Sequence, residues 1–225
     1  MMEGMTFSSF VEVPENSSAR TGLLNVCSAF GTAHPVQFLR GEVGSGKTHL
    51  LISFCASMRQ QHNASASYLS GREFISQARD LSHQATCDSE WLSDLSRADV
   101  VTIDDLDLLR ESPGTIPVLV ELLERRALNP KAVTVLAGST LPWELDTVLL
   151  PLRNALPSLR VIDLKPLSYD SVRLVAKALL ASAGLSDEGT VLSESEWCDL
   201  HELKGRIALL ALNRRSALVE RETHF

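Results

Sequence analysis

Val36-Gln-Phe-Leu-Arg-Gly-Glu-Val-Gly-Ser-Gly-Lys-Thr-His-Leu-Leu51 is the stretch that decides the fold. Val36 to Leu39 has strand character, Gly41 to Thr48 reads G-x-x-x-x-G-K-T, and from Lys47 the apolar residues fall at helical spacing, with Leu50, Leu51, Phe54 and Met58 on one face. Strand, turn and helix in that order form a phosphate loop. Glycines at 41, 44 and 46 let the backbone take positive φ and close around a polyphosphate. The main chain of Gly41, Glu42, Val43, Gly44, Ser45, Gly46, Lys47, Thr48 and His49, with the helix N-terminus behind it, offers N–H groups to the anion. Lys47 is expected to reach the β- and γ-phosphates, and the Thr48 hydroxyl to bind Mg2+.

A second chemical element lies downstream, at Asp99-Val-Val-Thr-Ile-Asp-Asp105. A buried parallel strand reads as a continuous apolar run, and this one, interrupted only by Thr102, ends in two carboxylates. An Asp at such a strand end holds Mg2+ opposite the phosphate-loop Thr, which gives Asp104 as the metal residue. Asp105, one position on, is placed to orient or activate an attacking water. Ala132-Val-Thr-Val-Leu-Ala137 is another buried strand, followed by Gly138-Ser139-Thr140. A polar side chain here would lie near a γ-phosphate. Thr140 is the first choice and Ser139 close behind, beside the plainer reading of a strand-end turn.

Composition sets the surroundings. The chain has 225 residues, 44% hydrophobic and 22% charged, enough for a real core in one large or two small domains. No apolar stretch approaches the ~20 residues of a membrane helix, and the start Met-Met-Glu-Gly-Met-Thr-Phe lacks the pattern of a secretory signal. Cys27, Cys55, Cys87 and Cys198 are widely spaced, with no His at ligand spacing, and read as reduced thiols of a cytoplasmic protein. The net charge of −7 argues against strong nonspecific DNA binding.

The remaining elements follow from caps and periodicity. Ser17 or Ser18 is expected to cap a first helix over Ala19 to Phe30, ended by Gly31. Ala66 to Leu69 reads as a strand and Ser70-Gly71 as a helix start, while Ser82 to Ser93 looks irregular. Ile116 to Leu128 is a helix with Val118, Leu119, Leu122 and Leu123 inward, and Leu159 to Leu164 a last strand. From Ser168 the pattern is helical throughout, over Ser168 to Ser182, about Ser193 to Leu203, and Arg206 to Glu220. The reading is α/β, a P-loop core with a parallel sheet flanked by helices over residues 1–166, then a small helical lid over 167–225.

The order of phosphate loop, Asp-Asp strand, polar strand end and helical domain resembles that of AAA+ ATPases. Within them the chain resembles the bacterial DnaA family, including short Hda-type relatives that keep only the ATPase core. The similar pieces are Phe7-Ser-Ser-Phe-Val-Glu-Val-Pro-Glu-Asn16, Phe38 to Leu51, Tyr68-Leu-Ser, Glu73-Phe-Ile, Ser96 to Leu109, and Gly205-Arg206 to Arg214. The likeness implies ATP or ADP with Mg2+ between the two domains, with the opening segment running past the adenine. It implies Thr140 as first sensor and Arg206 as second. An arginine finger is expected just before the last strand; strict alignment puts Ala155 there, and Arg153, two residues away, is the candidate.

Two departures bear on function. The reading expects neither a helix-turn-helix domain after Phe225 nor a clamp-binding peptide of the Gln-Leu-x-Leu-Pro kind at the N-terminus. Where initiators of the family bind single-stranded DNA, about Ile75 to Arg97 here, the vicinity offers only Arg72, Arg79, His83 and Arg97, so direct DNA binding is expected to be weak or absent. The resemblance thus implies a regulator of replication initiation, a weak Mg-dependent ATPase that pairs with a DnaA-type initiator or another AAA+ protein, with self-association open. One alternative is an ATP-dependent adaptor of the helicase-loader or transposition-helper type. Another is a binding module that keeps nucleotide as a structural ligand without turnover.

Overall fold

The computed structural model describes residues 4–82, 89–141, 156, 159–182 and 184. A first helix, α1 (Pro14–Ser28), leads to β1 (Val36–Arg40), the phosphate loop and α2 (Lys47–His62). Then come β2 (Ala66–Leu69), α3 (Gly71–Ser82), α4 (Glu90–Arg97) and β3 (Val100–Ile103). Two short 3-10 turns, Leu106–Glu111 and Pro113–Thr115, precede α5 (Ile116–Ala127), β4 (Val133–Gly138), β5 (Arg160–Asp163) and α6 (Tyr169–Ser182).

The strands form one five-stranded sheet in the order β2-β3-β4-β1-β5, and every pairing is parallel. Side chains of a strand alternate between faces, and each face has its own core. Phe38, Val101, Ile103 and Leu136 pack with α3, α4 and α5. Leu39, Val100, Val133, Val135 and Ala137 pack with α1 and α2. The polar Thr102 sits on the second face, fully buried, with its hydroxyl 3.4 Å from Cys55 Sγ and 3.4 Å from the Ser67 carbonyl. Helix α6 joins Val13 through Val175, Ala176 and Leu180 in a small third cluster.

Two local expectations are corrected. Helix α1 starts at Pro14, not Ala19, and neither Ser17 nor Ser18 caps it. Pro14 brings a preset helical φ to the first turn, and the Asn16 amide oxygen reaches back to the Val13 N–H at 2.9 Å. The helix also closes at Ser28, three residues before Gly31, which takes φ +86°. Likewise, the stretch read as irregular contains the start of α4: Ser89 Oγ accepts the Leu92 N–H at 3.1 Å, and Leu92 and Leu95 turn into the core. The helices expected over 193–203 and 206–220, and with them Arg206, lie outside the described residues, as does Arg153.

Candidate nucleotide site

In a parallel sheet the loops at the carboxyl ends of the strands face one crevice. Here those ends are Arg40, Leu69, Ile103, Gly138 and Asp163. The phosphate loop leaves β1 with the Gly41 N–H bonded to the Gly138 carbonyl at 3.0 Å, which ties it to the end of β4. Gly44 and Gly46 adopt φ of +81° and +103°, the left-handed region that a side chain disfavours. Gly41 is needed for space, since a Cβ there would stand 2.7 Å from Ser45 Oγ and 2.8 Å from the Leu164 Cβ.

Inside this loop the Lys47 ammonium is buried at 6% exposure, donating to the carbonyls of Gly41 at 2.8 Å and Glu42 at 3.0 Å. An ammonium carries three donors, and two are used among the described residues. Ser45 Oγ is buried without a hydrogen-bond partner among the described residues. Buried polar groups are rarely left unpaired without reason, and a cradle with a spare cation donor and an orphaned hydroxyl fits a polyphosphate. Glu42 and Val43, with Val43 73% exposed, offer the loop only their main chain.

Thr48 and Asp104, from different elements, meet: Thr48 Oγ1 donates to Asp104 Oδ2 at 2.6 Å. The other carboxylate oxygen accepts the Asp105 N–H at 2.9 Å. No cluster of three or more His, Cys, Asp or Glu able to hold a metal occurs among the described residues. A hydroxyl and one carboxylate are too few to cage a cation. They suit Mg2+, which completes its octahedron with water and phosphate oxygens.

Asp105 takes φ +47°, a strained conformation for a residue with a side chain. Gly71, at the start of α3, leaves room for it: a Cβ there would lie 2.6 Å from the Asp105 carbonyl oxygen. Partial burial, then the charge of Asp104, push the Asp105 carboxyl above its usual range, while Lys47 and Arg72 pull it back. A carboxylate of raised basicity beside a cationic loop is placed for proton transfer.

At the end of β4, Ser139 and Thr140 lie together, their hydroxyl oxygens 3.5 Å apart. His49 turns the other way, toward the opening segment: its Nε2 is 3.1 Å from the Thr6 carbonyl, and the Phe10 ring meets it edge-on at 5.2 Å. Beside the loop, Phe10, Val11, Leu167, Val175 and Leu179 line a small cavity whose floor includes Ser45 and Gly46. This apolar slot next to the loop suits a flat base.

Several residues in the site escape a reading of the sequence. Tyr68, on β2, donates to Asp104 Oδ2 at 3.3 Å, and burial with the nearby carboxylates holds its phenol far above the usual range. Asp107 bonds Ser139 across the crevice. Leu167 lies just before α6, and Val175 and Leu179 carry its ordinary helical periodicity, with no chemical signal. The hints available in the sequence were Tyr68, in the family-like Tyr68-Leu-Ser, and the third acid of the segment, Asp107, two residues after Asp105.

The family model of the bacterial DnaA ATPase domain matches residues 1–158. The chain belongs to that family. The chromosomal replication initiator protein DnaA of Mycoplasma genitalium is 27% identical over 147 residues, covering 64% of this chain and 33% of that protein. DnaA of Methylibium petroleiphilum is 29% identical, covering 61% and 29%. The chain therefore spans about a third of the length of the curated relatives it matches. Domain III of the Thermotoga maritima replication initiation protein DnaA superposes with a TM-score of 0.76 at 22% identity, over 96% of this chain and 90% of that one. A DnaA bound to AMPPCP and single-stranded DNA gives 0.75 at 20%, over 99% and 69%. The DnaC helicase loader gives 0.56 at 16%, over 73% and 98%. At these identities the structures share the fold, an AAA+ arrangement of parallel sheet and flanking helices.

Proposed function

We propose that this DnaA-family chain binds ATP or ADP with Mg2+ at the phosphate loop and acts as a nucleotide-dependent regulator of replication initiation, through a DnaA-type initiator or another AAA+ protein. The observation that carries the nucleotide reading is the meeting of Thr48 and Asp104 at 2.6 Å beside the buried Lys47. Gly41 to Thr48 bind the phosphates. The base lies in the slot lined by Phe10 and Leu179, and neighbours of this fold are bound to AMPPCP. Thr48 and Asp104 hold the cation, which when bound neutralises the charge that develops on the phosphates. Asp105 takes the proton of the attacking water, and Thr140 addresses the terminal phosphate. Arg206 is assigned the second sensor and Arg153 the finger, on the motif match alone. In the same reading residues 1–166 are the nucleotide-binding domain and 167–225 the lid.

The turn from DNA to a protein partner rests on charge. The chain is acidic overall. In the cleft between α3 and the first 3-10 turn, Arg72 and Arg79 share the walls with Asp80 and Glu111. A groove that tracks a nucleic-acid backbone is predominantly basic. Turnover is expected to be slow in isolation, because phosphoryl transfer in this class leans on an arginine from a neighbour.

The test is affinity capture of the tagged chain from its own cell lysate, with ATP and with ADP in parallel. Nucleotide-dependent recovery of the initiator is the expected result. Recovery of a helicase or transposase instead assigns the chain to the loader class, a reading favoured by the fold it shares with the DnaC loader. Function in cells that survives Asp105→Asn, with hydrolysis abolished, identifies a binding module.

A further inference from the structure

Asp107 has no part in the chemistry above, yet it bridges two strand ends. It follows Asp105 by two residues, in the 3-10 turn after β3, and its side chain crosses to β4. One oxygen, Oδ2, accepts both the Ser139 N–H at 2.7 Å and the Ser139 hydroxyl at 2.8 Å. Gly138 permits the approach: a Cβ there would stand 3.2 Å from Asp107 Oδ1 and 3.2 Å from the Phe38 ring. This bridge lies where the Gly138 carbonyl receives the first N–H of the phosphate loop.

A serine hydroxyl has one proton and two lone pairs, and an ionised carboxylate only accepts. The single Ser139 proton is therefore committed to Asp107, along with the Ser139 N–H. Toward the crevice Ser139 can present lone pairs alone. With the Ser139 proton taken, the long 3.5 Å contact between the two hydroxyls can be made only by Thr140 Oγ1 donating to Ser139 Oγ, a weak bond that the Thr140 proton can give up for a phosphate oxygen. We infer that Asp107 is a positioning residue that divides labour at the end of β4, fixing Ser139 as an acceptor and leaving Thr140 as the donor to the terminal phosphate. The inference rests on the nucleotide site proposed above and adds a specific origin for the discrimination between ATP and ADP.

The experiment is calorimetric titration of the full chain with ATP and with ADP, in Mg2+, read as the ratio of the two affinities. Hydrogen bonds to charged groups typically contribute about 1.5–3 kcal/mol, so loss of the donating hydroxyl should lower the ATP preference at least about tenfold. Thr140→Val is expected to do this, while Ser139→Ala shifts the ratio less than about twofold, because its proton is already taken. In an Asp107→Ala background the Ser139 hydroxyl is released, so Ser139→Ala now lowers the ratio by about tenfold. Asp107→Asn keeps an acceptor oxygen and restores the wild-type pattern, which separates a hydrogen-bonding role from mere bulk. Ser139→Ala that costs as much as Thr140→Val in the unmodified background overturns the inference, and so does an identical Ser139→Ala effect in both backgrounds. A wild-type chain that binds neither nucleotide overturns the proposed function and the inference with it; binding with the wrong pattern overturns the inference alone.

Discussion

Lys47 and Asp105 lie in one crevice but serve separable steps, and single substitutions divide them. Lys47 is a buried cation whose removal leaves the loop with main-chain donors only, so Lys47→Ala should abolish measurable ATP and ADP binding in a calorimetric titration. Asp105→Asn removes a base while keeping size and shape. Nucleotide affinity should persist, and turnover in a phosphate-release assay should fall by about 10²–10⁴, the usual contribution of a positioned base. A Lys47→Ala chain that still binds would sink the phosphate-loop assignment. These residues were legible in the sequence because their chemistry depends on spacing along the chain: G-x-x-x-x-G-K-T is local, and so is a strand ending in Asp-Asp. Tyr68 and Asp107 were not. Tyr68 reaches Asp104 only because β2 and β3 pair in the register that sets Leu69 beside Ile103, and Asp107 reaches Ser139 only because β3 and β4 are neighbours. Neither adjacency is written in a single segment.

Elements are joined by a few polar side chains, and two of them give measurable handles. Glu15, in the first turn of α1, accepts the Ser168 N–H at 3.0 Å and the Ser171 hydroxyl at 2.7 Å, so it clasps the start of α6. Hydrogen bonds from Ser168 and then Ser171 hold its carboxyl down, from 4.5 to about 2. A carboxyl with a lowered folded-state pKa adds stability above its unfolded value and loses it as pH falls through the folded one. Melting temperature should therefore drop between pH 4.5 and about 2 through this clasp, and Glu15→Gln should flatten that part of the profile; an unchanged profile would show the clasp to be inert. Arg126 is the second handle. Buried at 3% exposure on α5, it donates to the carbonyls of Leu95, Ala98 and Val133 and to the Thr134 hydroxyl. Arg126→Ala leaves those acceptors unpaired in the core and should cost about 3–5 kcal/mol in denaturant unfolding. At this scale the sequence was legible where a helix follows a motif, as α2 follows the phosphate loop, or is amphipathic over three turns, as α5 is. It misled at α1, where Pro14 and Asn16 outcompete the serines as a start signal, and at α4, an amphipathic helix of only eight residues, Glu90–Arg97, set against a polar stretch.

For the molecule as a whole, the nucleotide is expected to act as a clamp on the fold. At 100 times its Kd a ligand adds about 2.7 kcal/mol of stability, which for a chain of this size raises Tm by about 5–10 °C. A thermal melt with saturating ADP or ATP should show that rise in the wild-type chain and none in Lys47→Ala. The sheet that supports the site has a further consequence, in time. β1, from which the phosphate loop springs, pairs with β4 and β5, roughly a hundred residues or more downstream, the kind of distant contact that slows folding. On a ribosome adding about 5–20 residues per second, Lys47 emerges roughly 6 to 23 seconds before Asp163, the last residue of the strand that completes its surroundings. During that interval the motif has been synthesised but its crevice has no far wall. A growing chain is therefore expected to gain affinity for nucleotide only once β5 is in place.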